Sequence, residues 1–280
     1  MIPLVPIIFF FIILISTGHS DDLSLKKSLT FYASFDNGTN AEIAKGDKQL
    51  YTLINKKSKL GNHTDGMTRL VKGAGLSGDA LMFSKRNAKW LFYDGNKNFH
   101  FAEKNWSGSV SFWMKVDPIN KLDPGYVDPI QITPNTWNDA SFFVDFDKGG
   151  QPRPFRLGAF ADKSVWNPDN KEIPEPERPL VTAKSNPFSD KKWTHVAFTW
   201  ERFNTDQKDG IATLYLNGKN EGSIENWNQN FSWAGKTHRI LIGLNYMGLF
   251  DDLACFNRTL SQKEIESIYN HKKSLLGLLK

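Results

Sequence analysis

A single cysteine, Cys255, is present among the 280 residues, so the chain cannot form a disulfide bond within itself. In an oxidising compartment its stability would therefore depend on packing or on a bound metal ion. Cys255 alternates with Leu253 in an apolar run, which is typical of a small core residue and not of a nucleophile.

The sequence also lacks the short motifs that mark common enzymes. It contains no His-Glu-x-x-His motif, no Gly-x-Ser-x-Gly motif, and no Walker or Gly-x-Gly-x-x-Gly loop beside a predicted helix. The six histidines are far apart in the chain. We therefore assign no reaction step to any residue and expect a protein that is not an enzyme.

Charge of one sign is not concentrated in any part of the chain. The formal net charge is +5, and the lysines are scattered along the sequence. No predicted helix carries a basic stripe and no RNA-binding signature occurs, so we expect no nucleic-acid partner.

Residues 1–20 contain no Asp, Glu, Lys or Arg, and most of them are apolar. The apolar run ends in small and polar residues, which predicts a secretory signal peptide cut near Gly18 to Ser20 and a mature domain over residues 21–280. The alternative is an uncleaved anchor, although the run is shorter than a comfortable bilayer span. We expect a secreted or envelope (periplasmic) protein with no other membrane contact. Five Asn-x-Ser/Thr triplets begin at Asn37, Asn62, Asn105, Asn230 and Asn257.

Period-2 alternation is the dominant pattern of the remaining sequence. Val196, Phe198 and Trp200 alternate with smaller or more polar residues, and the next apolar run ends at Asn217-Gly218, which tolerates the positive φ angles of a tight hairpin turn. Similar predicted strands cover residues 29–35, 49–54, 79–83, 91–93, 99–101, 106–116, 140–146, 155–161, 239–244 and 248–256.

A short helix is predicted only near the C-terminus, where Ser261 and Glu264 form a capping box. Aromatic residues make up 13% of the chain, which suits two sheets packed face to face. The pattern thus predicts an all-β fold with a core over about residues 29–270, followed by this helix.

Two Pro-rich segments flank the predicted hairpin 140–161. The first Pro-rich segment, residues 117–137, and the second, residues 166–187, hold four and five prolines. Because proline is excluded from the interior of a sheet, we expect both to be long loops. Loops of this length are usually functional or disordered.

Several stretches together are similar to one known family. Trp193-x-His195-Val-Ala, the later Leu-Tyr-Leu-Asn-Gly ending at Gly218, Ser111-Phe-Trp, and the run from Gly248 to Ser261 resemble the laminin-G-like, concanavalin A-like jelly rolls. The resemblance covers most of residues 29–270. It implies a two-sheet antiparallel jelly-roll sandwich whose first and last strands are neighbours.

The resemblance also implies a structural Ca²⁺ site. Members of the superfamily often hold this ion with an acidic side chain of the last strand, carbonyls near the first strand and a Gly-rich turn. The matching positions here are Asp251, Asp36 and the turn at Gly78 and Asp79. Oxygen ligands of this kind suit calcium. The alternative is that both aspartates end strands and remain solvated.

Glucanases of this fold use a Glu-x-Asp-x-x-Glu array, and the corresponding strand here retains only Asp145 and Asp147. A non-catalytic module that binds a glycan or an extracellular protein is therefore favoured. The alternatives are a polysaccharide-active enzyme that depends on Asp145 and a protein-interaction scaffold.

A concave sheet and the two Pro-rich segments would form the binding surface. Sugars bind to aromatic faces and to hydrogen-bonding groups. The alternative, favoured for any individual tryptophan, is that it pins a long loop to the sheet. The candidate ligand-binding residues are Trp137, Asn138, Asp139, Asp145, Arg153, Arg156 and Trp166.

Overall fold

The computed structural model describes residues 18–54, 58–60, 68–85, 90–122 and 124–279. Most of the predicted signal peptide, and the triplet at Asn62, lie outside these residues. Residues 18–20 begin a helix, α1, that ends immediately before the first strand. None of the described helices is long and apolar enough to cross a membrane.

The described chain consists mainly of β-strands. They are β1 Leu29–Ala33, β2 Ile43–Ala44, β3 Leu50–Ile54, β4 Ser58–Leu60, β5 Thr68–Val71, β6 Ala80–Phe83, β7 Trp90–Asp94, β8 Trp106–Lys115, β9 Val127–Thr133, β10 Ser141–Phe146, β11 Phe155–Phe160, β12 Leu180–Thr182, β13 Thr194–Phe203, β14 Gly210–Leu216, β15 Lys219–Trp227, β16 Arg239–Leu244 and β17 Gly248–Phe256. The helices are α1 Gly18–Ser28, α2 Lys163–Trp166, α3 Gln262–His271 and α4 Leu275–Leu278, with a 3₁₀ turn at Glu175–Glu177.

The strands form two antiparallel sheets, which confirms the predicted all-β jelly-roll sandwich. The first sheet has the order β15-β14-β13-β8-β17-β1-β2, with β6 paired to β17 and β5 to β6. The second has the order β12-β11-β10-β9-β16-β7-β3-β4. The first and last strands are neighbours as expected, with Phe31 opposite Cys255 and Ala33 opposite Leu253.

An aromatic core fills the space between the sheets. Trp200 of the first sheet lies with its ring centroid 4.9 Å from that of Phe142 in the second and 5.3 Å from that of Trp106. A Cβ atom at Gly108 would lie 2.1 Å from the Trp200 ring, so only glycine leaves room for this indole. Phe99 stacks on the same ring at 4.9 Å. Residues 99–101 do not form a strand, so the strand predicted there is wrong, although Phe99 is buried in the core.

The expectation that the whole first Pro-rich segment is a loop is also wrong. Residues 127–133 form β9, a central strand that pairs with both β10 and β16. Pro129 lies where the register with β10 shifts between Val144 and Phe146, so its missing N–H falls at an irregularity of the ladder. The second Pro-rich segment is ordered along its length, with a 3₁₀ turn and the edge strand β12.

The C-terminal helices cover the outer face of the first sheet. The capping box of Ser261 and Glu264 begins α3 as predicted. Ile265 and Ile268 of α3 and Leu275 of α4 are buried in a cluster with residues of β1 and β17. The outer face of the second sheet has no such cover among the described elements, and the candidate site lies there.

Candidate functional site

A groove of about 580 Å³ crosses the outer face of the second sheet. Its position follows from strand alternation: Phe142 and Val144 of β10 enter the core, so Phe143 and Asp145 point toward the groove. Residues from six strands and from both Pro-rich segments line the groove: Trp90, Tyr126, Asp128, Gln131, Asn135, Thr136, Trp137, Phe143, Asp145, Arg156, Glu175, Arg178, Leu180, Leu241, Leu244 and Asn245.

Two exposed aromatic side chains belong to this groove. Tyr126 is 39% exposed and Trp137 is 44% exposed. Leu23 and Ile119 are the only other large hydrophobic side chains exposed to this degree among the described residues. Both exposed aromatic rings of the described chain thus line one groove, where apolar surface is available to a ligand.

Arg156 connects the floor of the groove to both Pro-rich segments. Its Nε and Nη2 donate to the two carboxylate oxygens of Asp145 at 2.9 and 2.5 Å, and Nη1 donates to Glu175 Oε1 at 2.5 Å. The guanidinium carbon also lies 5.2 Å from the centre of the Tyr126 ring. Arg156 thereby joins β10, the second Pro-rich segment and the first.

Burial raises the pKa of two carboxyl groups in the groove. For Asp128 burial is the main cause, and the neighbouring Asp145 carboxylate adds to it, so the pKa lies well above its usual range. Burial also raises the pKa of Asp145, while the two bonds from Arg156 lower it. Because Arg156 occupies both Asp145 oxygens, this carboxylate is poorly placed to attack a substrate or accept a proton.

Three of the predicted ligand-binding residues, Trp137, Asp145 and Arg156, meet in the groove. Two others hold the surrounding backbone. The Asp139 carboxylate accepts from the Lys163 N–H at 2.8 Å at the start of α2, and Asn138 provides the carbonyl that accepts from Trp166 Nε1 at 2.9 Å.

Arg153 and Trp166 lie outside the groove lining, and both are buried. Arg153 donates to the carbonyls of Asp147, Phe146 and Gly125, which ties the β10–β11 turn to the first Pro-rich segment. Trp166 packs perpendicular to Phe160 at 4.9 Å. Trp166 therefore holds a loop to the sheet, which is the alternative role predicted for the tryptophans.

Sequence reasoning missed several lining residues because it treated β9 as part of a loop. Gln131 stands between Ile130 and Ile132, an alternation that marks an outward position once β9 is recognised. Glu175 and Arg178 gave no signal, because only the folded path of the second Pro-rich segment brings them to the groove.

The residues of the predicted cation site lie together at another place. The Asp79 N–H donates to Asp36 Oδ1 at 2.9 Å, and the Leu76 N–H donates to Asp251 Oδ2 at 2.7 Å. A Cβ atom at Gly75 would lie 2.2 Å from the Asp79 carbonyl oxygen and 2.8 Å from Asp251 Oδ2. Two carboxylates and a tight glycine turn therefore surround one small region.

The charges of this region fit a hard cation. Burial raises the pKa values of Asp36 and Asp251, and repulsion from Asp252 raises that of Asp251 further. Neither carboxylate forms an ion pair with a cationic side chain in the described part of the chain. The described residues contain no group of three metal-binding side chains, so an ion here would need backbone carbonyls besides Asp36 and Asp251.

Several solved structures share the fold of this chain. Domain 4 of AbnA, a GH43 extracellular arabinanase from Geobacillus stearothermophilus, solved in complex with arabinotriose, is similar with a TM-score of 0.53 and 17% identity, covering 86% of this chain and 98% of that one. The binding domain of Paraclostridial Mosquitocidal Protein 1 is similar with a TM-score of 0.59 and 16% identity over 88% of this chain and 53% of that one.

The binding domain of Botulinum Neurotoxin DC in complex with SialylT is similar with a TM-score of 0.57 and 15% identity, over 89% of this chain. The present chain spans about half the length of these toxin domains. At such identities the likeness establishes the fold alone.

The sequence itself carries the family assignment. No curated protein sequence gives a significant match. A laminin-G family model, described as the concanavalin A-like lectin/glucanases superfamily, matches residues 93–266, which include β8 to β17 and the capping box. The resemblance noted in the strand motifs is thereby confirmed, and the chain belongs to the concanavalin A-like lectin/glucanases superfamily.

Proposed function

We propose that this chain is a secreted, non-catalytic module that binds carbohydrate in the groove of the second sheet. The observation that carries the proposal is the convergence of the two exposed aromatic rings, Tyr126 and Trp137, on one groove lined with amide and carboxyl groups. Sugar rings present apolar C–H faces to aromatic side chains and hydroxyl groups to polar ones.

The structural relatives support a binding role. The arabinanase domain was solved with arabinotriose, and the neurotoxin binding domain with SialylT. These ligands belong to those proteins, and at this distance they support a glycan class of ligand for the present chain without identifying one.

The non-catalytic part of the proposal rests on Asp145. Glycoside hydrolysis needs one carboxylate that is free to attack or to activate water and a second group that donates a proton. Asp145 is buried with both oxygens bound to Arg156, so it supplies neither function in this arrangement. A polysaccharide-active enzyme and a protein-binding scaffold are the competing outcomes of the experiments below.

A glycan array followed by calorimetry on the captured oligosaccharide tests the proposal. We expect the wild-type protein to bind and Trp137→Ala to lose at least about fivefold in affinity, because an aromatic contact of about 1 kcal/mol is removed. Ile119→Ala is the matched control, since Ile119 is 56% exposed on the same Pro-rich segment but outside the groove. Capture of no glycan, or equal loss in both variants, would reject the groove as a carbohydrate site.

We also propose export through the apolar run of residues 1–20, with the glycan met outside the cell or in the envelope. The support is the sequence pattern of this segment. N-terminal sequencing of the protein expressed at full length in a secreting host tests it. A new N-terminus near residues 18–21 in the medium or periplasm is expected, and retention of Met1 on a membrane-bound product would support the anchor instead.

Calcium is proposed as a structural ion held by Asp36, Asp251 and carbonyls of the turn that contains Gly78 and Asp79. The support is the approach of the buried Asp251 carboxylate and the half-buried Asp36 carboxylate to that turn. When bound, the ion would neutralise the two carboxylates and join the first strand to the last. It has no part in the groove, which lies on the other sheet.

A further inference from the structure

The groove does not share the positive charge of the chain. The formal net charge of the whole sequence is +5. Three carboxyl groups but only two guanidinium groups line the groove: Asp128, Asp145 and Glu175 against Arg156 and Arg178. No lysine contributes to the lining within the described residues. The excess positive charge of the protein therefore lies elsewhere.

Arg156 is not available to an anionic ligand. Its side chain is only 4% exposed. Asp145 and Glu175 accept hydrogen bonds from three of its nitrogen atoms, and Asp147 Oδ1 lies 3.6 Å from Nη1. A carboxylate or sulfate on a ligand would have to displace one of these partners, and separating a buried guanidinium from its carboxylates is costly.

Arg178 is the remaining cation of the lining, and a hydrogen bond to a backbone carbonyl holds its side chain without neutralising the charge. Its Nε donates to the carbonyl of Ile173 at 2.8 Å, and its backbone carbonyl accepts from Leu180. Its single charge shares the groove with Glu175 and with Asp128. The lining therefore has no excess positive charge that would attract an anionic ligand.

The uncharged polar groups are better placed to contact a ligand. Gln131, Asn135, Thr136 and Asn245 line the groove beside the aromatic rings. Asp128 is half-buried, and no hydrogen bond or ion pair holds its carboxyl group among the residues the structure describes. The raised pKa of Asp128 favours its protonated form, which can donate to a hydroxyl group.

We infer that the groove selects neutral oligosaccharides and discriminates against glycans that carry carboxylate or sulfate groups. The inference rests on the proposed function and adds the chemical class of the ligand. The groove discriminates in this way because Asp145 and Glu175 already neutralise Arg156, so that Arg156 does not attract an anionic group.

A glycan array of matched pairs tests this class. Each neutral oligosaccharide is printed beside its sialylated, uronate-containing or sulfated counterpart, and binding is read at low ionic strength, where charge effects are largest. We expect the neutral member of a bound pair to give at least about tenfold higher apparent affinity, a difference of about 1.4 kcal/mol. Trp137→Ala should weaken the binding of the neutral member by at least about fivefold.

The variant Glu175→Gln tests the assigned cause. Glutamine retains an acceptor for Arg156 but removes one of the neutralising charges, so we expect the preference for neutral over acidic members to shrink by about threefold. Glu177→Gln is the control, because Glu177 lies on the same 3₁₀ turn but outside the groove lining. An equal change in both variants would overturn the role given to Arg156 and Glu175.

Different results would reject carbohydrate binding in the groove and the preference for neutral oligosaccharides. Preferential binding of acidic members that Trp137→Ala abolishes would overturn the neutral class while leaving carbohydrate binding in the groove intact. Binding of acidic members alone, unaffected by Trp137→Ala, would indicate the basic exterior and reject both. Absence of binding to every printed glycan would likewise reject the proposed function together with the inference.

Discussion

Arg156 donates a hydrogen bond to Glu175 at 2.5 Å, which joins the buried strand β11 to the middle of the second Pro-rich segment. The two residues are separated by 19 positions in the chain. The same guanidinium is held on its other side by Asp145. One side chain therefore links the floor of the groove to the second Pro-rich segment.

Replacement of Arg156 by alanine should destabilise the protein by about 3–5 kcal/mol, because the buried Asp145 carboxylate would lose its partner. Urea denaturation at neutral pH measures the effect. Arg202→Ala is the matched control: Arg202 also pairs with two acidic residues, Glu201 and Asp209, but is 44% exposed. Its loss should cost less than about 1 kcal/mol. Equal losses would show that burial of the Arg156 pair is unimportant.

The wild-type protein should release no reducing ends from the polysaccharides that it binds. Cleavage of a polysaccharide would depend on Asp145, and Arg156 occupies both oxygens of its carboxylate. A reducing-end assay on wild type and Asp145→Asn measures turnover. Activity that is present in the wild type and absent from Asp145→Asn would establish the enzyme and refute the non-catalytic module.

Chelation should lower the melting temperature of the protein, and added Ca²⁺ should restore it. An ion that binds only the folded state at 100 times its dissociation constant stabilises by about 2.7 kcal/mol. Asp251→Asn should abolish the response, whereas Asp169→Asn, a change at an exposed aspartate paired with Lys171, should preserve it. Identical melting curves with and without chelator would eliminate the site.

His195 should make the protein sensitive to mild acid. Burial lowers the pKa of His195 to about 3, and its Nε2 lies 2.8 Å from Ser111 Oγ. The stabilisation that neutral His195 contributes is therefore complete above the ordinary histidine pKa near 6.5. It is lost as pH falls toward the pKa of about 3 that His195 has in the folded protein. Between pH 6.5 and pH 4.5 this loss should reach about 2–3 kcal/mol.

The test compares unfolding free energies of wild type and His195→Gln across this interval. Burial also raises the pKa values of Asp251 and Asp252, which act in the opposite direction, but these groups are common to both proteins and cancel. The difference between the two proteins should narrow as pH falls, and the exposed His100→Gln variant should show no such trend. A constant difference would mean that His195 does not titrate with unfolding.

Local pattern predicted the strands that alternate strictly. Val196, Phe198 and Trp200 enter the core, and Asn217 and Gly218 adopt positive φ angles of 50° and 79° at the predicted turn. The same reasoning failed at β9, where Pro129 argued against a strand. A register irregularity absorbs the missing N–H of this proline, and no local rule could reveal that irregularity.

The sequence alone determined the alternating strands and the hairpin turn at Asn217 and Gly218, because side-chain period and turn chemistry act over a few residues. Its resemblance to a known family, and not this local pattern, implied the double-sheet sandwich with neighbouring first and last strands. Only the tertiary structure decided that Trp137 faces the groove while Trp166 pins a loop, and that Glu175 neutralises Arg156. Such roles depend on how segments far apart in the chain meet, and the physical reason is that burial and charge pairing are properties of the assembled fold.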